Sequence, residues 1–204
     1  MGKFIVFEGI DGSGKSTQIK LLAKRLRESG RKVYVTAEPT ESVSGGLLRD
    51  ALCGVAKRTP CEMAALFTLD RIYHNVNSAN GIKKMLDDGF DVICDRYYYS
   101  TLAYQGNETD FDWVRTMNID CPEILCPDVC LFLDVSPEVG LSRVGNGERG
   151  FTEIYEKASI LEAVRKKYFD VFETLPKREN VKIINADRDP DAVAEDIFKA
   201  VSVL

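Results

Sequence analysis

The residues with the clearest chemistry are Gly9-Ile10-Asp11-Gly12-Ser13-Gly14-Lys15-Ser16, which fit the pattern G-x-x-x-x-G-K-[ST]. Glycines at 9, 12 and 14 let the backbone curl until successive N–H groups converge on phosphate oxygens. Lys15 would bring a mobile ammonium to the outer phosphates of a nucleoside triphosphate, and the Ser16 hydroxyl would ligate magnesium. A second such place is Asp95-Arg96. Asp95 ends the apolar run Val92-Ile93-Cys94, the Walker-B arrangement in which an aspartate holds magnesium directly or through its water; it could instead cap a following helix. The planar fork of Arg96 suits bidentate contact with donor and acceptor phosphates.

Three further groups could read the rest of a substrate. Glu38, followed by the structure-ending Pro39, is expected at the rim of a cleft. Met63, Phe67 and Arg71 recur at i, i+4 and so share one helical face. Phe67 by itself reads as a core aromatic. A guanidinium in the same stripe needs an acceptor, however, and a nucleobase offers both a π-face and a carbonyl. Asp70 beside it is expected to pair with a surface base. Ser100, Thr101 and Tyr104 bring hydroxyls near Asp95-Arg96, and at least one of Tyr97, Tyr98 and Tyr99 belongs to the core.

The elements that must position these groups alternate. Strand-like runs recur at Lys3–Glu8, Lys32–Ala37, Asp91–Asp95, Val129–Val135 and Val181–Asn185. Helical patterns fill the gaps at Ser16–Ser29, Gly45–Cys53, Pro60–Asp88 (interrupted near Ser78–Gly81), Tyr98–Tyr104, Phe111–Asn118, Pro137–Arg143, Phe151–Thr174 and Pro190–Val203. This alternation predicts an α/β fold, a doubly wound five-stranded parallel sheet with helices on both faces. One domain, 1–204, accounts for the length, and ligands belong at the carboxyl ends of the strands.

Composition narrows the function. The chain is 45% hydrophobic and 29% charged with net charge −5, and an acidic chain without a basic tract argues against a nucleic-acid binder. No apolar run is long enough to span a bilayer, and the first residues lead straight into a strand, leaving no length for a signal peptide, so a cytosolic enzyme is expected. The six cysteines do not repeat a C-x-x-C knuckle, and the single histidine, His74, is far from them in sequence. Reduced thiols are the expectation.

The set Glu8 to Thr17, Glu38-Pro39-Thr40, Leu66 to Arg71, Asp95-Arg96-Tyr97 with Ser100 to Gly106, and Pro127-Asp128 leading to Leu133 through Glu138 resembles thymidylate kinase, in order from Phe4 to about Tyr168. The segments around Phe67 and Ser100 are far more specific than the phosphate loop. The resemblance implies a P-loop nucleotide kinase that moves the γ-phosphoryl of ATP to dTMP with Mg2+, usually as a homodimer. It implies that Gly9, Ile10, Asp11, Gly12, Ser13, Gly14, Lys15, Ser16 and Thr17 hold ATP, with Ser16 and Asp95 at the metal. Phe67 would stack on thymine, Arg71 would bond its O4, and Tyr104 would sit where a ribose 2′-hydroxyl would go. Asp11 would approach the acceptor's 3′-hydroxyl, Ser100, Thr101 and Gln105 would line its base or sugar, and Arg96 would hold its phosphate.

Arg143 to Gly150 matches the family's short lid, about 143–154, with Arg149 the first choice for the catalytic cation and Arg143 the second. With Gly12 and Ser13 where some members place an arginine, the chain resembles bacterial-type members, whose cationic help comes from the lid. Tyr155-Glu156 resembles a pair near the acceptor phosphate. Two departures stand out: Ala37 precedes Glu38 where many bacterial members carry arginine, and the lid carries few arginines. The same residues admit two other readings. A deoxynucleoside kinase would need Glu38 as base for a 5′-hydroxyl. A slowly hydrolysing P-loop switch would need no acceptor pocket.

Overall fold

The computed structural model describes residues 2–145 and 158–204. Five strands run parallel in one sheet: β1 (Phe4–Glu8), β2 (Val33–Ala37), β3 (Asp91–Asp95), β4 (Val129–Asp134) and β5 (Val181–Asn185), in the order β2-β3-β1-β4-β5. β1 is central, with Val6 opposite Cys94 on one side and Cys130 on the other. Every residue of β1 is buried, as a strand covered on both faces requires.

The connecting helices are α1 (Lys15–Glu28), α2 (Val43–Leu52), α3 (Pro60–Val76), α4 (Ile82–Asp87), α5 (Tyr98–Glu108), α6 (Phe111–Ile119), α7 (Pro137–Gly145), α8 (Ala158–Thr174) and α9 (Pro190–Ser202). The break expected near Ser78–Gly81 separates α3 from α4. Thr59 and Glu62 form a reciprocal capping box at the start of α3, and Pro60 supplies a residue that needs no N–H partner there. Residues 151–157 of the helix expected from Phe151, the segment 146–154 of the expected lid, Arg149, and Tyr155-Glu156 lie outside the described residues.

Alternation along β1 sends Phe4 and Glu8 to one face. Phe4 meets the Tyr97 ring edge-on at 5.2 Å, and Glu8 meets Tyr97, Ser100 and Tyr168. On the same side Phe132 of β4 packs against Tyr168, Phe169 and Phe172 of α8. Tyr97, Tyr98 and Tyr99 are all buried, so the whole tyrosine run is core. The hydroxyls of Tyr98 and Tyr99 converge on Glu179 Oε2, which meets the hydrogen-bonding need of both rings.

Candidate active site

The turn after β1 brings the phosphate loop to the carboxyl edge of the sheet. Gly12 has φ 77°, and a Cβ there would stand 2.0 Å from the carbonyl oxygen of Gly140. Gly9, at φ 141°, faces the Leu133 carbonyl at 2.7 Å in the same way. Only glycine fits either place without moving backbone. Gly9 and Ile10 lie beneath the loop: the Ile10 side chain is core, and the two carbonyls accept from Lys15 Nζ at 2.9 and 3.2 Å. Burial, with Arg96 adding to it, lowers the affinity of Lys15 for its proton, against the pull of Asp95, Asp11 and Glu8.

A cleft of about 620 Å³ opens above the loop. It brings together Asp11, Gly12, Ser13, Gly14, Lys15, Ser16, Thr17, Glu38, Phe67, Arg71, Asp95, Arg96, Ser100, Thr101, Tyr104, Gln105 and Arg143. Of the described candidates, only Gly9 and Ile10 stay outside its wall. At the phosphate end, Arg96 Nη2 donates to Asp11 Oδ1 at 2.5 Å, Nη1 donates to Ser100 Oγ at 3.1 Å, and the guanidinium lies 5.7 Å from the centre of the Tyr104 ring. Arg96 has φ 68°, in the left-handed region that a residue with a Cβ enters at a cost of about 1–3 kcal/mol.

The metal candidates fit a hard divalent cation. Asp95 Oδ1 is buried without a hydrogen-bond partner among the described residues, and the Ser16 hydroxyl is exposed in the same cleft. Among the described residues no group of three His, Cys, Asp or Glu could hold a metal by itself. Few protein ligands is the usual situation for magnesium, which keeps waters and takes phosphate oxygens.

At the other end the arrangement differs from expectation in three respects. Glu38 does not sit free at the rim; it is 5% exposed, accepting from Arg71 Nη2 at 2.6 Å through one oxygen and facing His74 Nδ1 at 3.0 Å through the other. A buried guanidinium demands this counter-charge. Arg71 already has protein acceptors: Glu38, Asn118 Oδ1 at 2.5 Å and Thr101 Oγ1 at 3.1 Å, while its Nε has no partner among the described residues. Thr101 Oγ1 thus meets the Arg71 end of the cleft. Among the described residues Asp70 pairs with no surface base; it accepts from Thr40 N and from the hydroxyls of Thr40, Ser42 and Ser44. Burial raises its pKa, but these donors outweigh burial and hold it below the usual carboxylate range.

Several residues of the site escaped the sequence reading. Glu8, His74, Asn118 and Tyr168 support the groups above. Gln18, Ala186, Arg188 and Pro190 extend the cleft past the loop toward the start of α9, where Arg143 donates to Ala186 O at 3.2 Å. The only local signal for these was the rule that ligands gather after strands, applied to β5.

A parallel sheet of order 2-3-1-4-5, with a glycine-rich anion loop after its central strand, defines a P-loop NTPase fold of the nucleotide-kinase kind. The family model for thymidylate kinase matches residues 7–197. The chain is 40% identical over 98% of its length to a probable thymidylate kinase of Methanococcus aeolicus, covering 95% of that protein. It is 38% identical to the thymidylate kinase of Desulfotalea psychrophila (100% of this chain, 96% of the relative) and 37% identical to that of Thermomicrobium roseum (99% and 95%). The chain belongs to the thymidylate kinase family.

Proposed function

We propose that the two arms of the cleft divide between the two nucleotides of the thymidylate kinase reaction. The chain transfers the γ-phosphoryl of ATP to dTMP, giving dTDP and ADP, with Mg2+. In this reading Gly12 to Thr17 cradle the ATP phosphates, and Ser16 and Asp95 hold the metal, which neutralises charge on the transferring group. Phe67 stacks on thymine and Arg71 donates to its carbonyl edge. Tyr104 excludes a 2′-hydroxyl, and Ser100, Thr101 and Gln105 line the sugar and base. Arg96 meets the acceptor phosphate, with Asp11 beside the sugar. Arg149, and Arg143 after it, supply cationic help on the expectation carried by the family.

The observation that carries the reading is the continuity of the cleft from Phe67 and Arg71 to Lys15, with Arg96 between. The acceptor is already an oxyanion, so positioning and charge neutralisation suffice and no base is needed. The deoxynucleoside-kinase alternative requires Glu38 as that base, and its carboxylate is engaged by Arg71 and His74 instead. The test is to supply thymidine and dTMP separately with ATP and Mg2+. Faster ADP production with thymidine would overturn the choice.

A homodimer and a cytoplasmic site of action belong to the same proposal. Leu69, Tyr73 and Val76 expose an apolar stripe at i, i+4, i+7 along α3, 55%, 47% and 44% accessible, which suits burial against a second copy. The six cysteines are free thiols, the state a reducing compartment maintains, and among the described residues no helix is long and apolar enough to cross a membrane.

A further inference from the structure

Glu8 ends β1 directly before the phosphate loop and is fully buried. It has no salt-bridge partner among the described residues within contact distance, yet both its oxygens are occupied. Oε1 accepts from the backbone N–H groups of Tyr97 at 2.8 Å and Ser100 at 3.1 Å. Oε2 accepts from Ser100 Oγ at 2.7 Å and from the Tyr168 hydroxyl at 2.8 Å. These donors bracket the turn that begins at Arg96, whose φ of 68° is unfavourable for a side chain. The Arg96 N–H is itself tied to Phe7 O at 2.9 Å, so the end of β1 holds the strained turn from both sides.

Hydrogen-bond direction carries the argument further. Arg96 Nη1 donates to Ser100 Oγ, and Ser100 Oγ donates on to Glu8. The guanidinium, the serine hydroxyl and the buried carboxylate thus form one directed chain. An apolar residue could fill this volume at less desolvation cost, so acceptor capacity is what the position uses.

We propose that Glu8 is a positioning residue for phosphoryl transfer: its buried carboxylate fixes the Arg96–Ser100 turn against the phosphate loop, and so fixes where the Arg96 guanidinium meets the acceptor phosphate. This rests on the reading of Arg96 given above. A purely structural Glu8 would affect both nucleotides alike; a positioning Glu8 affects dTMP.

The experiment compares Glu8→Gln, Glu8→Met and Tyr168→Phe in steady-state kinetics with each substrate varied. The glutamine oxygen can still accept both backbone N–H groups, but its NH2 cannot accept from Ser100 or Tyr168, so kcat/KM for dTMP falls only partway, by about threefold to tenfold. Methionine has the length but no acceptor, and kcat/KM for dTMP falls about 10–100-fold while KM for ATP moves less than about threefold. Tyr168→Phe, a change that removes one hydroxyl, lowers kcat/KM for dTMP by about threefold to tenfold with KM for ATP unchanged, and it decides the matter if the methionine variant does not fold. Equal losses toward both nucleotides, parental kinetics in Glu8→Met or Tyr168→Phe, or a glutamine variant as impaired as methionine would overturn the proposal. Arg96→Ala separates the two levels. If that change leaves dTMP kinetics intact, the reading of Arg96 fails; if it impairs them while the Glu8 and Tyr168 variants do not, only the Glu8 inference fails.

Discussion

Arg96 Nη2 lies 2.5 Å from Asp11 Oδ1, so the cation at the centre of the cleft is tied to the phosphate loop before any nucleotide arrives. The same guanidinium reaches Ser100 through its other terminal nitrogen. A planar fork can hold these contacts and still present N–H groups to phosphate; an ammonium cannot hold all of them in fixed directions. Arg96→Lys is therefore expected to lower kcat/KM for dTMP by about 100-fold, with KM for ATP within about threefold. Initial rates with one substrate varied at saturation of the other decide it, and a loss confined to ATP would contradict the assignment.

Phe67 tests the opposite end. It is half-buried on the face of α3 that also carries Arg71, and both line the cleft. Stacking of a base on an aromatic ring contributes about 1–3 kcal/mol, so Phe67→Ala should raise KM for dTMP by roughly 10–100-fold and leave KM for ATP nearly unchanged. Equal effects on both substrates, or none, would count against the pocket.

The stripe on α3 makes a prediction about assembly. Tyr73→Glu sets a charge in the middle of Leu69, Tyr73 and Val76, where it would be desolvated against a second copy. Light scattering is expected to find the parent chain dimeric and the variant shifted to monomer by at least about tenfold in dissociation constant. A parent that is monomeric at assay concentration would refute the dimer.

What the sequence made legible was local. β3 and β5 have the bounds that hydrophobic patterning predicted, and the phosphate loop stands where its glycine spacing put it. The i, i+4 relation of Phe67 and Arg71 survived folding because both ride one helix. What escaped was pairing across sequence distance. Glu38 looked like a rim carboxylate because its partners, Arg71 and His74, stand 33 and 36 residues away. Glu8 looked like the last residue of a strand, and nothing near it announces Tyr168, 160 residues on. Asp70 looked like a surface charge because the loop hydroxyls of Thr40, Ser42 and Ser44 meet it only in the folded chain.

Glu8 also gives a pH dependence of known sign. Burial raises its pKa above the ordinary 4.5 in the folded chain, although Arg96, Ser100, Tyr168 and Tyr97 oppose the rise. Between that ordinary value and the raised one, the folded protein binds more protons than the unfolded, so stability falls as pH increases through this window. Glutamine cannot ionise. The Tm of Glu8→Gln minus that of the parent should therefore be larger at about pH 7.5 than at about pH 4.5. Thermal melts of both proteins at the two values check it, and a difference that grows toward acid would show the sign to be wrong.

Lys15 separates fold from turnover. Its ammonium is buried and hydrogen-bonded to the Gly9 and Ile10 carbonyls, and burial lowers its pKa below the ordinary 10.5. From that lowered value up to 10.5 the unfolded chain binds more protons, so this residue adds stability only as pH rises through alkaline values; at neutral pH the buried charge is a cost. Lys15→Met removes that cost along with two hydrogen bonds, and the Tm at neutral pH is expected to change by no more than a few degrees. Turnover should fall by about a thousandfold, because a preorganised cation aimed at the transferring phosphate is lost. Circular dichroism melts and an ADP-release assay on the same preparation decide between outcomes. A near-parental rate would mean that the loop does not hold the phosphate donor, and an unfolded variant would mean that Lys15 acts as a strut between the loop carbonyls and not as a catalytic charge.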